Sequence, residues 1–201
     1  MGLRLTAALA IVTTALAVTA AGVQAKPESY RIDPRHATIA FLVEHIGFYR
    51  TLGQFLEVEG SFTYDEATQE LSDLEVTIPT ASVFSNDAAR DKHVRNADFL
   101  HSGAHPVMTF RMTGAERESE TTGKVTGDLT LRGVTKPVTL DVTLNKSGPY
   151  PFPIAGSVPY VLGISARTKL NRSDFGMDYA VANGLVGDEV EIIIELEAMR
   201  Q

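Results

Sequence analysis

In segment after segment of this chain of 201 residues, an apolar side chain occupies every second position. The run from Val138 to Leu144 and the run from Met108 to Met112 both alternate aliphatic, aromatic or thioether side chains with Thr, Asp or Arg. A period of two residues places the apolar side chains of a β-strand on one face and the polar ones on the other. The alternation therefore predicts a β-protein with an apolar inside and a polar outside.

The N-terminus predicts a segment that is removed on export. Arg4 is followed by an uncharged, alanine-rich run that ends in Val23-Gln24-Ala25, a small-x-Ala cleavage signature. Residues 1–25 are therefore predicted to be a secretory signal peptide, and residues 26–201 the mature domain, with no stable membrane anchor after cleavage. An uncleaved membrane anchor is the alternative, because the run approaches the length that spans a bilayer.

Composition excludes several classes of function. The chain has 18 basic and 25 acidic residues and a formal net charge of −7, which argues against nucleic acid or an anionic membrane surface as a partner. It has no cysteine, so it has no disulfide and no thiolate metal site. Stability must come from packing and strand pairing within one domain.

About eight strand candidates follow from the alternation and from the turn residues between the runs. They lie near residues 36–46, 53–64, 71–79, 107–113, 122–132, 137–145, 158–170 and 188–198. This number is typical of an antiparallel barrel or sandwich.

Residues 86–101 predict a short helical insertion, in which Asn86 can cap a helix that continues through Arg95. The first strand carries apolar residues on both faces, such as Phe41 and Leu42, which predicts that something covers its outside. The helical insertion is the expected cover.

The five histidines are the first place to look for a metal or catalytic site. His93, His101 and His105 could supply imidazole ligands, but His101-Ser-Gly-Ala-His105 contains a glycine and precedes a proline, so it is expected to be a loop. We therefore predict no metal and no cofactor. His36 and His45 are nine residues apart and lie on opposite faces of a regular strand, and the chain has no Gly-x-Ser-x-Gly motif, so no catalytic residue is predicted.

Several runs, taken in order, resemble one known family. They are Tyr30-Arg-Ile-Asp-Pro-Arg-His36, Phe41-x-Val-x-His45, Arg90-Asp-Lys-His93, Asp98-Phe-Leu100, His105-Pro-Val-Met-Thr-Phe110, Gly127-Asp-Leu-Thr-Leu-Arg-Gly133-Val-Thr-Lys-Pro137 and Asn171-Arg-Ser-Asp-Phe-Gly176. The chain is similar over essentially all of the mature domain to the YceI-like family, exported lipocalin-like proteins that bind polyisoprenoids or related amphiphiles. The resemblance implies an eight-stranded antiparallel barrel with an elongated apolar cavity, a periplasmic location and no established catalytic activity. Ala37 stands where the family typically has serine, which removes any hydrogen bond of that hydroxyl.

The alternation along each strand predicts which residues would line such a cavity. The predicted apolar lining is Phe41, Phe62, Val76, Phe110, Leu129, Leu140, Leu162 and Ile192. The predicted polar mouth, where a head group would bind, is Arg90, His93, Arg172 and Asp174.

The resulting hypothesis is a non-catalytic carrier or store for a polyisoprenoid, an isoprenoid quinone or a fatty-amide-like lipid. One alternative is an enzyme that acts on such a lipid with His36, His45 or His93 as a general base. Another is a periplasmic stress-response module whose acidic surface recruits a partner. A homodimer formed through an exposed sheet edge is also left open.

Overall fold

Ten β-strands within residues 26–201, the part of the chain that this computed structural model describes, form one antiparallel sheet. They are β1 (Glu28–His45), β2 (Tyr49–Phe55), β3 (Glu59–Asp65), β4 (Glu70–Pro79), β5 (Val83–Phe84), β6 (Val107–Arg117), β7 (Thr122–Leu131), β8 (Val134–Pro149), β9 (Tyr160–Asn171) and β10 (Val186–Arg200). The last strand, β10, pairs with both β9 and β1, so the sheet closes into a barrel.

Eight strand positions make up the circumference of the barrel. Strands β2 and β3 pair with different halves of the same edge of β1, and they are two parts of one strand interrupted at residues 56–58. Strand β5 has only two residues and pairs with the end of β2 at Gln54 and Phe55. The predicted eight-stranded antiparallel lipocalin-like barrel is confirmed, and each predicted strand has a counterpart.

The predicted helical insertion is also present, as helix α1 (Ala88–Val94) between β5 and β6. Its N-cap is Asp87, whose carboxylate accepts a hydrogen bond from the backbone N–H of Arg90 at 2.8 Å, as N-cap side chains do. The expected cap, Asn86, instead has a left-handed backbone with φ of 64°.

The expectation that this helix covers the outside of β1 is wrong. Helix α1 packs against β5 at one end of the barrel and presents Arg90, His93 and Val94 to the interior. On the outside of the first two strands, Leu42 is half-buried and its cross-strand neighbour Leu52 is 60% exposed.

The loops divide between two ends of the barrel, because all neighbouring strands are antiparallel. At the mouth end lie residues 46–48, 80–106, 132–133 and 172–185. At the base end lie residues 66–69, 118–121 and 150–159, together with the start of β1 and the end of β10.

A cluster of inward-facing side chains fills the base end. Tyr30 stacks on Phe62 with ring centroids 5.4 Å apart, and Leu162 and Ala198 pack beside them, each at most 5% exposed. We call these four residues the base plug. They fill part of the interior of the barrel at this end.

The predicted signal peptide, residues 1–25, lies outside the described residues. From residue 26 onward, no helix combines the length and the apolar composition needed to cross a bilayer.

Candidate ligand-binding cavity

Above the base plug the barrel encloses a cavity of about 560 Å³. This volume falls within the range of small-molecule sites, roughly 300–1,000 Å³. The cavity wall consists almost entirely of aliphatic and aromatic side chains from the inner faces of the strands. Many of them, including Val76, Leu129 and Ile194, are only half-buried, because they face this space instead of packing against one another.

The structure places seven of the eight predicted lining residues on the cavity wall. They are Phe41, Phe62, Val76, Phe110, Leu129, Leu140 and Ile192.

Leu162 is the predicted lining residue that does not reach the cavity. It lies two residues beyond Ile164 toward the base end and pairs with Ala198 on β10. Its side chain faces inward, as its parity predicts, but it is 1% exposed and belongs to the base plug.

Two glycines explain how the cavity stays open beside large aromatic side chains. The ring of Phe41 lies over Gly53 on β2, and the ring of Phe110 lies over Gly127 on β7, so closely that a Cβ at either glycine would overlap the ring. Each ring therefore occupies the space that a neighbouring side chain would otherwise fill, an arrangement also used in designed sheets. The aromatic rings lie against the wall and leave the centre of the barrel free.

Arg90 is held at the mouth by Ser85, which lies between β5 and the helix of Arg90. Its guanidinium donates to the Ser85 hydroxyl at 2.8 Å and to the Ser85 carbonyl at 2.5 Å. The same hydroxyl donates to the buried carboxylate of Asp91 at 2.5 Å. Arg90 thus lines the cavity, and the Ser85 hydroxyl links its guanidinium to the Asp91 carboxylate.

Arg172 is the most buried charge at the mouth, with 3% exposure. Its guanidinium donates four hydrogen bonds of 2.6–3.0 Å to backbone carbonyls, those of Met177, Tyr179, Val186 and Gly187. Burial lowers the pKa of Arg172, although Asp188 and Asp178 act in the opposite direction. Among the described residues no carboxylate forms an ion pair with it, and carbonyl dipoles are its hydrogen-bonding partners.

His93 occupies the same region and also lines the cavity. Its Nε2 lies 3.0 Å from a carboxylate oxygen of Asp98, and its ring makes edge contacts with Phe99 and Tyr179 at centroid distances of 5.0 and 5.1 Å. The guanidinium carbon of Arg172 lies 5.5 Å from the centre of the Phe99 ring, a cation–π contact. Arg90, His93 and Arg172 therefore all lie at the mouth of the cavity.

Asp174 does not join them. It is exposed on the short 3₁₀ turn Arg172–Phe175 and its carboxylate lies 3.6 Å from the Lys136 ammonium on the outside of the barrel. Arg172, two positions earlier on the same tight turn, is the side chain that faces inward.

The histidines do not assemble into one centre. His45 and His93 line the cavity, whereas His36 lies outside it with Nδ1 2.8 Å from the buried carboxylate of Asp33. Burial alone raises the pKa of Asp33, but hydrogen bonds from His36 and Arg35 outweigh it and hold the pKa below its usual value. Within residues 26–201, no three His, Asp or Glu side chains are grouped closely enough to hold a metal ion.

Several mouth residues were missed by reasoning from the sequence. Ile46, Phe99, Met177, Tyr179 and Leu185 all line the cavity. They lie in turns and loops, where there is no period of two to indicate which side chains face inward. The cluster of apolar residues after the Arg172–Phe175 turn was the only available signal.

Comparison with known proteins gives a consistent result. The family model described as the YceI-like domain matches residues 30–198. A UPF0312 protein of Azotobacter vinelandii is 40% identical over 195 residues, which cover 96% of this chain and 97% of the relative.

Solved structures share the barrel. The YceI protein of Campylobacter jejuni is 30% identical, with a TM-score of 0.70 over 79% of this chain and 90% of that one. A polyisoprenoid-binding domain from Saccharophagus degradans, implicated in plant cell wall breakdown, is 13% identical, with a TM-score of 0.60 over 87% of this chain and 99% of that one. At this identity the second likeness concerns the fold alone.

Proposed function

The chain belongs to the YceI-like family, and from that premise we propose that it is a non-catalytic lipid-binding protein of the periplasm. Its ligand is a polyisoprenoid or a related long-chain amphiphile, whose chain lies in the barrel cavity. The observation that carries this proposal is an apolar cavity of about 560 Å³ that is filled at the base end and reaches the surface at the mouth. The name of the Saccharophagus degradans domain, which shares the fold, supports the same class of ligand.

The free energies of apolar burial and of hydrogen bonding indicate that the apolar wall contributes most of the binding. Burying several hundred Å² of a prenyl chain at roughly 25 cal/mol per Å² contributes on the order of 10 kcal/mol before the ordering of the ligand is counted. A hydrogen bond to the head group adds about 1 kcal/mol net. Wall residues such as Phe110, Leu129 and Ile192 therefore set affinity, and polar residues set orientation.

We assign the head group to the mouth, beside Arg90, His93 and Arg172. A guanidinium has five N–H groups, and four of those of Arg172 are used by carbonyls. A buried cation without a carboxylate partner favours a ligand that brings acceptor oxygens. A prenyl phosphate meets this requirement with a full charge, and a quinone or a fatty amide meets it with a carbonyl.

The direct test begins with mature protein freshly purified from the periplasm. Native mass spectrometry and solvent extraction are expected to detect a co-purified prenyl lipid, and delipidated protein is expected to bind a prenyl phosphate in detergent. The absence of both a co-purified lipid and binding would overturn the proposal.

A pair of substitutions on adjacent residues of β7 locates the site. Leu129 faces the cavity and Asp128 faces solvent, so Leu129→Trp is expected to weaken prenyl binding at least tenfold, whereas Asp128→Trp leaves it unchanged. Equal binding by both variants would place the lipid outside the barrel.

We also propose that residues 1–25 are a cleaved signal peptide. N-terminal sequencing of the periplasmic protein is expected to begin at Lys26. A membrane-bound product that retains the first 25 residues would contradict this.

A further inference from the structure

The turn between β1 and β2 projects an unusually exposed aromatic side chain. Ile46 and Gly47 both have left-handed backbones, with φ of 54° and 69°, which is the type I′ geometry of a tight hairpin. The next residue, Phe48, is 88% exposed, the largest value among the large apolar side chains of the described residues. A tight hairpin therefore presents Phe48 on a short, stiff projection at the mouth end.

This projection is joined to the edge of the cavity. The backbone N–H of Ile46 donates to the carbonyl of Leu185 at 3.1 Å, which ties the hairpin to the segment before β10. Ile46, Tyr179 and Leu185 line the cavity and are also 44–45% exposed. We call Ile46, Phe48, Tyr179 and Leu185 the apolar rim. Three of these four residues belong both to the exposed surface and to the cavity wall.

We propose that the apolar rim docks the barrel, mouth first, on the surface of a zwitterionic lipid bilayer. Phe48 enters the interface between head groups and acyl chains, and the cavity opens directly onto the lipid. This inference rests on the proposed function, because it supplies the route by which a lipid enters or leaves without crossing water. An interfacial apolar group of this kind inserts only into the outer part of a bilayer, to a depth of about 5–10 Å.

Two observations favour a bilayer over a protein partner. First, three rim residues belong both to the surface and to the cavity wall, so whatever covers the rim also meets the cavity opening. A protein seated there would close the mouth, whereas a bilayer leaves it in contact with lipid. Second, Phe48 is a protruding single ring, which suits insertion better than a flat complementary interface.

The charge of the protein selects the kind of bilayer. With a net charge of −7, the chain is repelled by anionic lipids at long range. Docking therefore depends on apolar insertion, and it should need neither anionic lipid nor low salt.

The chain contains no tryptophan, so a single introduced tryptophan is an unambiguous reporter. We compare Phe48→Trp with Phe152→Trp, whose site is 57% exposed at the base end. With phosphatidylcholine vesicles, Phe48→Trp emission is expected to shift to shorter wavelength and to be quenched by brominated acyl chains. Phe152→Trp emission is expected to remain unchanged. Unchanged emission from Phe48→Trp would overturn the proposal.

A second variant measures the contribution of the ring. Phe48→Asp is expected to reduce vesicle co-sedimentation about tenfold to a hundredfold, the range that corresponds to burying one large apolar side chain. Because Phe48 does not line the cavity, prenyl phosphate binding in detergent should be unchanged. If Phe48→Asp instead converts a dimer into a monomer by light scattering and leaves vesicle binding as it was, the rim joins two copies and the docking proposal fails.

The two proposals fail separately in these experiments. Vesicle binding without any prenyl binding would leave bilayer docking intact and refute the lipid-carrying function. Prenyl binding without a response of Phe48→Trp to vesicles would refute docking alone.

Discussion

The ring of Phe110 lies over Gly127 on the neighbouring strand, and a Cβ at position 127 would approach Phe110 Cε1 to 2.8 Å. A glycine at this inward-facing position therefore determines where a large aromatic ring can lie. The ring lies against the barrel wall in space that a side chain at position 127 would overlap. The same relationship between Phe41 and Gly53 lies on β1 and β2.

A Cβ at position 127 would also lie 2.6 Å from the backbone carbonyl oxygen of Arg111. Gly127→Ala is therefore expected to push the Phe110 ring toward the centre of the cavity and to shift the neighbouring backbone of β6. Prenyl binding should weaken by about tenfold, and overpacking should lower the free energy of unfolding by roughly 1–3 kcal/mol. Titration with a prenyl phosphate and denaturant unfolding measure the two effects. Gly163→Ala is the matched control, because a Cβ there has no neighbour closer than 3.9 Å.

Phe110→Leu tests whether the ring is responsible for that loss. A smaller side chain should accept a methyl group at position 127, so the double variant Phe110→Leu, Gly127→Ala should bind better than Gly127→Ala alone. Such coupling is expected of residues in direct contact. Purely additive losses would show that the backbone shift, and not the ring, reduces binding.

Arg172→Met is expected to destabilise the barrel by several kcal/mol. The substitution removes four hydrogen bonds and leaves buried carbonyls without a donor, which costs far more than the loss of an exposed ion pair. Thermal unfolding measures the effect. Lys169→Met, which breaks the exposed ion pair with Glu189 and no hydrogen bond to a backbone carbonyl, is the control and should have little effect on stability. Similar losses in the two variants would contradict a structural role for Arg172.

Stability is expected to fall at alkaline pH because of Tyr30. Burial, together with the nearby Glu66, raises the pKa of Tyr30 to about 12. The folded protein therefore holds this proton between pH 10 and 12 while the unfolded chain releases it, and the free energy of unfolding decreases as the pH rises. The loss from this group is on the order of 2–3 kcal/mol. Urea unfolding at pH 9 and 11 should show a smaller difference for Tyr30→Phe than for the unmodified protein.

Asp33 should contribute in the opposite pH range. Its pKa is lowered in the folded barrel, where the hydrogen bonds from His36 and Arg35 outweigh the effect of burial. The stabilisation is present above the unfolded pKa near 3.8 and is lost as the pH falls through the folded pKa. Asp33→Asn should therefore reduce stability at pH 7 and flatten its decline in acid. A decline as steep as that of the unmodified protein would exclude Asp33 as a source of the acid sensitivity.

The cavity wall could be predicted because the pattern that encodes it is local. Phe110, Leu129 and Ile192 alternate with polar neighbours, and parity alone places their side chains inside the barrel. The alternation shows which face of the sheet a side chain lies on, but it does not show how far along the barrel axis the residue lies. Leu162 shows the same alternation as Ile192, but it lies in the base plug. Its position there follows from its pairing with Ala198 near the end of β10, which the alternation does not specify.

The mouth was only partly predictable, because loops build it. The inward position of Arg172 depends on carbonyls up to 15 residues away, and no spacing in the sequence specifies their direction. The break between β2 and β3 has a similar cause. The N–H of Leu56 leaves the barrel ladder to donate to the carbonyl of Ser82, a partner in a distant segment.

The stacked pair of Tyr30 and Phe62 lies inside the barrel at its base end. Its position bears on how a lipid would lie in the cavity. Under the proposed function, a lipid enters and leaves the cavity at the mouth, with its hydrocarbon chain directed toward the base end. The depth available to the chain is then the distance from the mouth to the Tyr30–Phe62 pair. On the same proposal, a hydrocarbon chain longer than that depth folds back on itself or extends outside the barrel, and the cavity favours lipids of limited chain length.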